Sequence, residues 1–287
     1  MRRFTTSAAT ERSFLTPLLL AELVLAVAVI AWPTSSPVVP TMPTPAASAV
    51  HDAPGDSTTS RTLNDGRTAA LMALGGSETA RLTDRIAAEL DGAADAVTAF
   101  WGDDWPRHID ILATGTDDEF LALGGGAAVG GGAADIAATT TAQRITFAPG
   151  AATMDDAQLR IVLRHELFHY ASRAQTTADA PRWLTEGVAD FVGRPAEPRP
   201  GPGRAEELAH LPTDADLDTA GPTRSLAYDR AWWFSRFVAD RYGMPTLRKL
   251  YLAACGPGHA GALSAVQNTL GADLGQVTVA WRQWLSG

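Results

Sequence analysis

Two histidines and a glutamate near the middle of the chain have the types and spacing of a metal-binding group. His165, Glu166 and His169 form the pattern His-Glu-x-x-His. On a helix, a separation of four residues places both imidazoles on one face, where they can bind the same Zn2+. Glu166 is offset by one residue, so its carboxylate can reach a water molecule at the metal and act as a general base. The pattern therefore predicts a site for one zinc ion per chain.

A third protein ligand is needed, because a catalytic zinc uses three protein ligands and a water molecule. Pro181 and Gly193 are typical of the start and end of a second helix, and Glu186 and Asp190 share one face of it. Burying two carboxylates on an apolar helix costs free energy unless they have partners. We therefore predict that Glu186 binds the metal and that Asp190 accepts the free N–H of a ligating histidine. The alternative is an exposed helix face with two solvated acids.

The segment around the two histidines is mostly apolar, which predicts that their helix is buried on most sides. Two surface histidines on an exposed helix would instead have polar flanks. The apolar or uncharged neighbours are Ile161, Val162, Leu163, Leu167, Phe168, Tyr170 and Ala171.

The composition of the chain limits its sites and partners. The 287 residues are 46% hydrophobic, which is enough to bury a sizeable core. The 32 acidic and 23 basic side chains give a net charge of -9, which argues against a nucleic-acid partner. Cys255 is the only cysteine, so the chain can form neither an intramolecular disulfide nor a site of several thiolates.

The N-terminal part of the sequence differs from the rest. Residues 15–32 are an apolar run that follows Arg2, Arg3 and Arg12, a layout typical of an export signal or a signal anchor. A buried helix of the folded domain is the alternative. We expect residues 1–32 to direct export, 33–67 to form a disordered tether rich in Pro, Ser, Thr and Ala, and 68–287 to form one domain. That domain would be anchored in the membrane, or secreted if the signal is cleaved.

Hydrophobic periodicity places the candidate residues in a domain of the α+β class. The Gly-rich run 124–135 is expected to be a surface excursion, and residues 194–223 a loop bordering a cleft. We predict helices over 77–101, 117–123 and from a cap at Thr153 through the two histidines, strands over 107–113 and 139–148, and packed helices toward the C-terminus.

The motif His165-Glu166-x-x-His169, followed by Glu186-x-x-x-Asp190 within Trp-Leu-Thr-Glu-Gly-Val-Ala-Asp, resembles the gluzincin metallopeptidases, in particular the peptidase MA-like group. The resemblance extends from about residue 107 to the C-terminus. It implies a zincin-like domain in which a small mixed or antiparallel sheet packs on a mainly helical part. It also implies the roles given above for all five residues. In this family the strand upstream of the metal helix pairs with an extended substrate, which would be the strand over 139–148.

A peptidase of this kind needs a hydrogen-bond donor for the oxyanion that forms as water attacks the carbonyl. Gluzincins generally supply a downstream Tyr or His, which here would be Tyr228, with His210 as the rival. The resemblance thus implies an exported zinc metallopeptidase that acts on a peptide or protein. Two alternatives stay open: a zinc-stabilised cell-surface binding module without catalysis, and a zinc hydrolase of a non-peptide bond.

Overall fold

The computed structural model describes residues 55–124 and 136–287. The predicted export signal, most of the predicted tether and nearly all of the Gly-rich run lie outside the described residues. Within the described residues, no helix is both long enough and apolar enough to span a membrane.

Five strands in the described part of the chain form one mixed sheet, in the order β1-β2-β3-β5-β4. The pairs β1–β2 and β4–β5 are antiparallel, and β3 is parallel to both β2 and β5. This order leaves β1 and β4 at the two edges. The strands are β1 (Ser57–Thr62), β2 (Thr68–Ala73), β3 (His108–Ala113), β4 (Ala138–Thr140) and β5 (Ile145–Phe147).

Ten α-helices make up most of the described residues, which confirms the predicted α+β class with a mainly helical part. The three longest are α1, α3 and α7, with 25, 17 and 21 residues. The helices are α1 (Ser77–Trp101), α2 (Asp117–Leu123), α3 (Asp156–Ser172), α4 (Arg182–Gly193), α5 (Pro202–Leu208), α6 (Asp214–Asp218), α7 (Pro222–Tyr242), α8 (Met244–Cys255), α9 (Ala262–Leu270) and α10 (Leu274–Ser286).

The predicted tether ends too late, because its last residues belong to the fold. Strand β1 pairs with β2 over its whole length, from Ser57 opposite Ala73 to Thr62 opposite Thr68. Arg67 is fully buried, and its guanidinium lies 3.5 Å from the centre of the Trp105 ring. The Ser/Thr-rich composition of β1 resembles that of a tether, but its backbone hydrogen bonds to β2 hold it in the sheet.

Two further predictions are corrected. The strand predicted over 139–148 is a hairpin, because a turn at Thr141 and Arg144 separates β4 from β5. The region predicted as a loop over 194–223 contains the short helices α5 and α6. Helix α6 is stabilised by a capping box in which Thr213 and Asp216 satisfy each other's backbone N–H groups.

Helix packing sets the position of the site. Helix α3 lies between α1 and α4, and α4 also packs against α7. Two glycines allow α4 to approach its neighbours closely. A Cβ atom on Gly187 would lie 2.5 Å from the carbonyl oxygen of Ala231 on α7, and one on Gly193 would lie 2.9 Å from that of Ile161 on α3. Larger residues would therefore push α4 away from both helices.

Candidate metal centre

Three side chains from α3 and α4 converge in the interior. The Nε2 atoms of His165 and His169 are 3.0 Å apart, and Glu186 Oε2 lies 3.3 Å from the first and 3.8 Å from the second. The exposed fractions of the three residues are 0%, 6% and 1%. The predicted ligands are thus brought together, by one turn of α3 and by the packing of α4 against it.

The donor set of this group fits zinc. Two imidazole nitrogens and one carboxylate oxygen are the protein ligands of one well-known class of catalytic zinc sites. Zinc–ligand distances of about 2.0–2.1 Å in a tetrahedral site place ligand atoms roughly 3.3 Å apart. The separations of 3.0, 3.3 and 3.8 Å lie on either side of that value. His165, His169 and Glu186 could therefore hold the ion without a rearrangement of the helices.

A second carboxylate fixes the orientation of the His165 ring. The Nδ1–H of His165 donates to Asp190 Oδ1 at 2.9 Å, which leaves Nε2 directed at His169 and Glu186. Asp190 is itself fully buried. The predicted proximity of Asp190 to a candidate ligand is therefore present in the structure, and the geometry matches the outer hydrogen bond that usually orients a ligating histidine.

Sequence reasoning did not identify Arg194 and Asp229, the two charged residues that continue from Asp190. Arg194 lies 2.7 Å from Asp190 Oδ2 and also donates to Asp229 Oδ1 at 3.1 Å. Arg194 follows Asp190 by four residues, and that spacing was the signal that could have identified it. Asp229 comes from α7 and is distant in sequence, so no local pattern pointed to it.

Burial and charge shift the pKa values of the two histidines in opposite directions. Burial disfavours the imidazolium of His165, but the hydrogen bonds to Asp190 and Glu186 outweigh it and raise the pKa to about 10. Burial, together with the charge of His165, lowers the pKa of His169 well below its ordinary value. The two carboxylates thus favour a positive charge at this position, which either a proton or a metal ion can supply.

Glu166 lies at the same site but has a different environment. Its Oε2 accepts a hydrogen bond from the Thr140 hydroxyl at 2.6 Å, whereas its buried Oε1 has no hydrogen-bond partner among the described residues. Burial raises the pKa of this carboxyl to about 7, although the charge of His165 and the bond from Thr140 oppose the shift. A carboxyl with a pKa near neutrality is well suited to take up and release a proton.

Tyr228 is the second predicted catalytic side chain, and the structure places it beside Glu186. Its hydroxyl hydrogen-bonds the Glu186 side chain, and its pKa is raised well above the ordinary value by burial and by the charges of Glu186 and Asp190. The hydroxyl therefore stays protonated and can donate. The rival, His210, is exposed and follows the end of α5, outside the buried group.

Comparisons with known proteins add only distant similarities. No family model and no curated protein matches the chain. The chain is similar to a mutant of the M1 zinc metallopeptidase from Deinococcus radiodurans, alone and bound to a Tyr-Ser-Ala substrate, with 16% identity and a TM-score of 0.43 in both cases. A two-domain M1 zinc metallopeptidase mutant bound to L-tryptophan gives 18% and 0.40. These alignments cover 81% of this chain and 51–52% of the other chains, so the chain spans about half their length.

Proposed function

We propose that this protein is a zinc-dependent metallopeptidase that hydrolyses peptide bonds in a peptide or protein substrate. One observation carries the proposal: His165, His169 and Glu186 converge in the interior beside the Glu166 carboxylate, whose Oε1 has no hydrogen-bond partner among the described residues. Burying three ionisable groups costs free energy unless they are paired or bind a metal. Metal binding, with a general base beside the metal, explains why these groups are buried together.

Glu166, Tyr228 and Asp190 would each have a separate role in the reaction. Bound zinc would act as a Lewis acid that lowers the pKa of a water molecule and polarises the scissile carbonyl. Glu166 Oε1 would take the proton of the attacking water and pass it to the leaving amine nitrogen. Tyr228 would turn its hydroxyl from Glu186 toward the carbonyl oxygen and donate to it as negative charge develops there. Asp190 would keep His165 in the tautomer that presents Nε2.

Strand β4 is the proposed binding edge for an extended substrate. It is hydrogen-bonded to β5 on one side, and no strand of the described residues lies on the other. Its last residue, Thr140, contacts Glu166, so a peptide strand added to this edge would run past the general base. The hairpin that replaced the single predicted strand therefore keeps the proposed role, with β4 as the part of it that would face the substrate.

The test combines metal analysis with peptide cleavage by the full chain. We expect about one zinc per chain, new termini in a peptide library, and a loss of activity of roughly 10²–10⁴-fold in Glu166→Gln with the zinc content unchanged. Glu78→Gln, at an exposed position in the first turn of α1, is the matched control. Zinc-loaded, folded wild type that releases no termini would instead indicate the binding module or the hydrolase of a non-peptide bond.

We also propose that the domain works outside the cytoplasm. The support is the apolar run 15–32 behind its basic start and the Pro-rich segment that follows. In intact cells that express the full chain, an added protease should degrade the domain. Mass spectrometry of the mature N-terminus would then separate a membrane anchor from a cleaved signal. Protection of the domain in intact cells, with degradation after lysis, would contradict export.

A further inference from the structure

The buried hydroxyl of Thr140 lies against the carboxylate of Glu166. Thr140 Oγ1 is 2.6 Å from Glu166 Oε2 and 3.0 Å from the main-chain carbonyl oxygen of the same residue. Thr140 is 5% exposed and Glu166 is fully buried. The hydroxyl has one proton to donate, and the shorter distance favours the carboxylate oxygen, because hydrogen bonds to charged acceptors are the shorter and stronger ones.

We infer that Thr140 is the positioning residue of the general base: it holds Oε2 of Glu166 so that Oε1 alone is directed to the attacking water. This inference rests on the proposed peptidase function and adds a residue to it. The assignment of the two oxygens follows from their environments, since one has a donor at 2.6 Å and the other has no partner within the described part of the chain.

The structure makes Thr140 a rigid donor. A β-branched side chain is restricted about χ1, and the backbone of Thr140 is paired with Ile145 in the β4–β5 hairpin. Glu166, by contrast, has three side-chain torsions, and its terminal torsion has only a broad minimum. Without the hydroxyl, the carboxylate could rotate and present either oxygen. A general base out of place by about 1 Å can cost about 100-fold in rate.

The same contact links the proposed substrate edge to the base. Thr140 ends β4, so a peptide paired with that edge and the Glu166 carboxylate would be aligned by one residue. The competing explanation is that the hydroxyl only joins β4 to α3 through the Glu166 carbonyl oxygen. That explanation predicts a change in stability without a specific change in kcat.

The experiment compares Thr140→Val, Thr140→Ser and Thr114→Val in the full chain. Thr114 is the matched control, because it is a buried threonine just after β3, outside the proposed substrate edge, and its hydroxyl donates to the Phe147 carbonyl instead. We expect Thr140→Val to lower kcat by up to about 100-fold with KM and zinc affinity unchanged. Thr140→Ser should restore most of the loss, and Thr114→Val should leave kcat at the wild-type value.

A second measurement does not depend on activity. In the metal-free protein, the 13C resonance of the Glu166 carboxyl, identified by its absence in Glu166→Gln, should shift in Thr140→Val and stay in place in Thr114→Val. Equal kcat values in Thr140→Val and Thr114→Val, or no recovery in Thr140→Ser, would overturn the inference while leaving the peptidase proposal intact. A wild type that cleaves no peptide would overturn the peptidase proposal and, with it, the role of Thr140 as positioner of a base.

Discussion

Helices α1 and α3 pack against each other, and both bury much of their surface, but only α3 buries ionisable side chains as well as apolar ones. Helix α1 buries an apolar stripe at helical spacing, which includes Leu82, Ile86, Leu90 and Val97. Its charged residues lie on the other side. The buried residues of α3 include His165, Glu166 and His169 among aliphatic and aromatic neighbours.

The difference separates what stabilises the domain from what would do chemistry. Buried apolar area contributes roughly 25 cal/mol per Å2, whereas buried ionisable groups cost free energy unless they are paired. Helix α1 follows the first rule throughout. Helix α3 keeps three costly groups in place, and it does so with partners from β4 and α4, namely Thr140, Asp190 and Glu186. Substitutions in α1 should therefore change stability, and those around α3 should change metal binding.

The largest effect on stability is expected in α1. Ile86 is fully buried in the core, so Ile86→Ala removes apolar contacts and leaves a cavity. We expect the free energy of unfolding to fall by about 2–5 kcal/mol, as measured by denaturant titration of the metal-free protein. Zinc affinity of the folded fraction should match that of the wild type. A large loss of zinc affinity would show that α1 also shapes the metal centre and would remove the distinction between the two helices.

The next effect concerns the orientation of the metal ligand. Asp190→Asn keeps the size of the side chain but removes the charge that His165 and Arg194 share. We expect zinc affinity to fall by about 10–100-fold, measured by competition with a chromogenic chelator. Asp91→Asn is the matched control, because Asp91 is an α1 aspartate whose ion pair with Arg61 is distant in sequence from the site. Wild-type affinity in Asp190→Asn would mean that the ligands are oriented by packing alone.

The same contrast explains what the sequence could predict. Helix α1 was predicted over 77–101, which are its observed bounds, because its apolar spacing is a local signal. His165 and His169 share a helix face for the same reason. Asp190 could be placed near them because it follows Glu186 by one helical turn on the same helix.

What could not be predicted depends on contacts between distant segments. Strand β1 has the composition of a tether and is held by its pairing with β2 and by the ion pair of Arg61 with Asp91 of α1, neither of which a local pattern reveals. Thr140 precedes Glu166 by 26 residues, and Asp229 follows Arg194 by 35, so neither contact can be predicted from residue spacing. The turn that divides β4 from β5 contains no glycine or proline, the usual markers of a turn.

The smallest effect is expected at the polar bridge between the two helices. Arg160 of α3 binds Glu89 of α1 through two hydrogen bonds, Nε to Oε2 at 2.7 Å and an Nη to Oε1 at 2.8 Å. Both side chains are partly exposed, so solvent and salt screen the pair. Glu89→Gln should therefore lower the free energy of unfolding by less than Ile86→Ala does. Its effect should also be smaller than the effect of Asp190→Asn on zinc affinity.

The pH dependence of that small effect has a definite sign. The hydrogen bond from Arg160 lowers the pKa of Glu89 below its ordinary value of 4.5. A carboxyl whose pKa is lower in the folded state stabilises the fold above its unfolded pKa and loses that contribution as the pH falls through the folded one. The difference in unfolding free energy between wild type and Glu89→Gln should be constant above about pH 5 and shrink below 4.5. A difference that grows on acidification would mean that the bridge does not hold α1 against α3 as an ion pair.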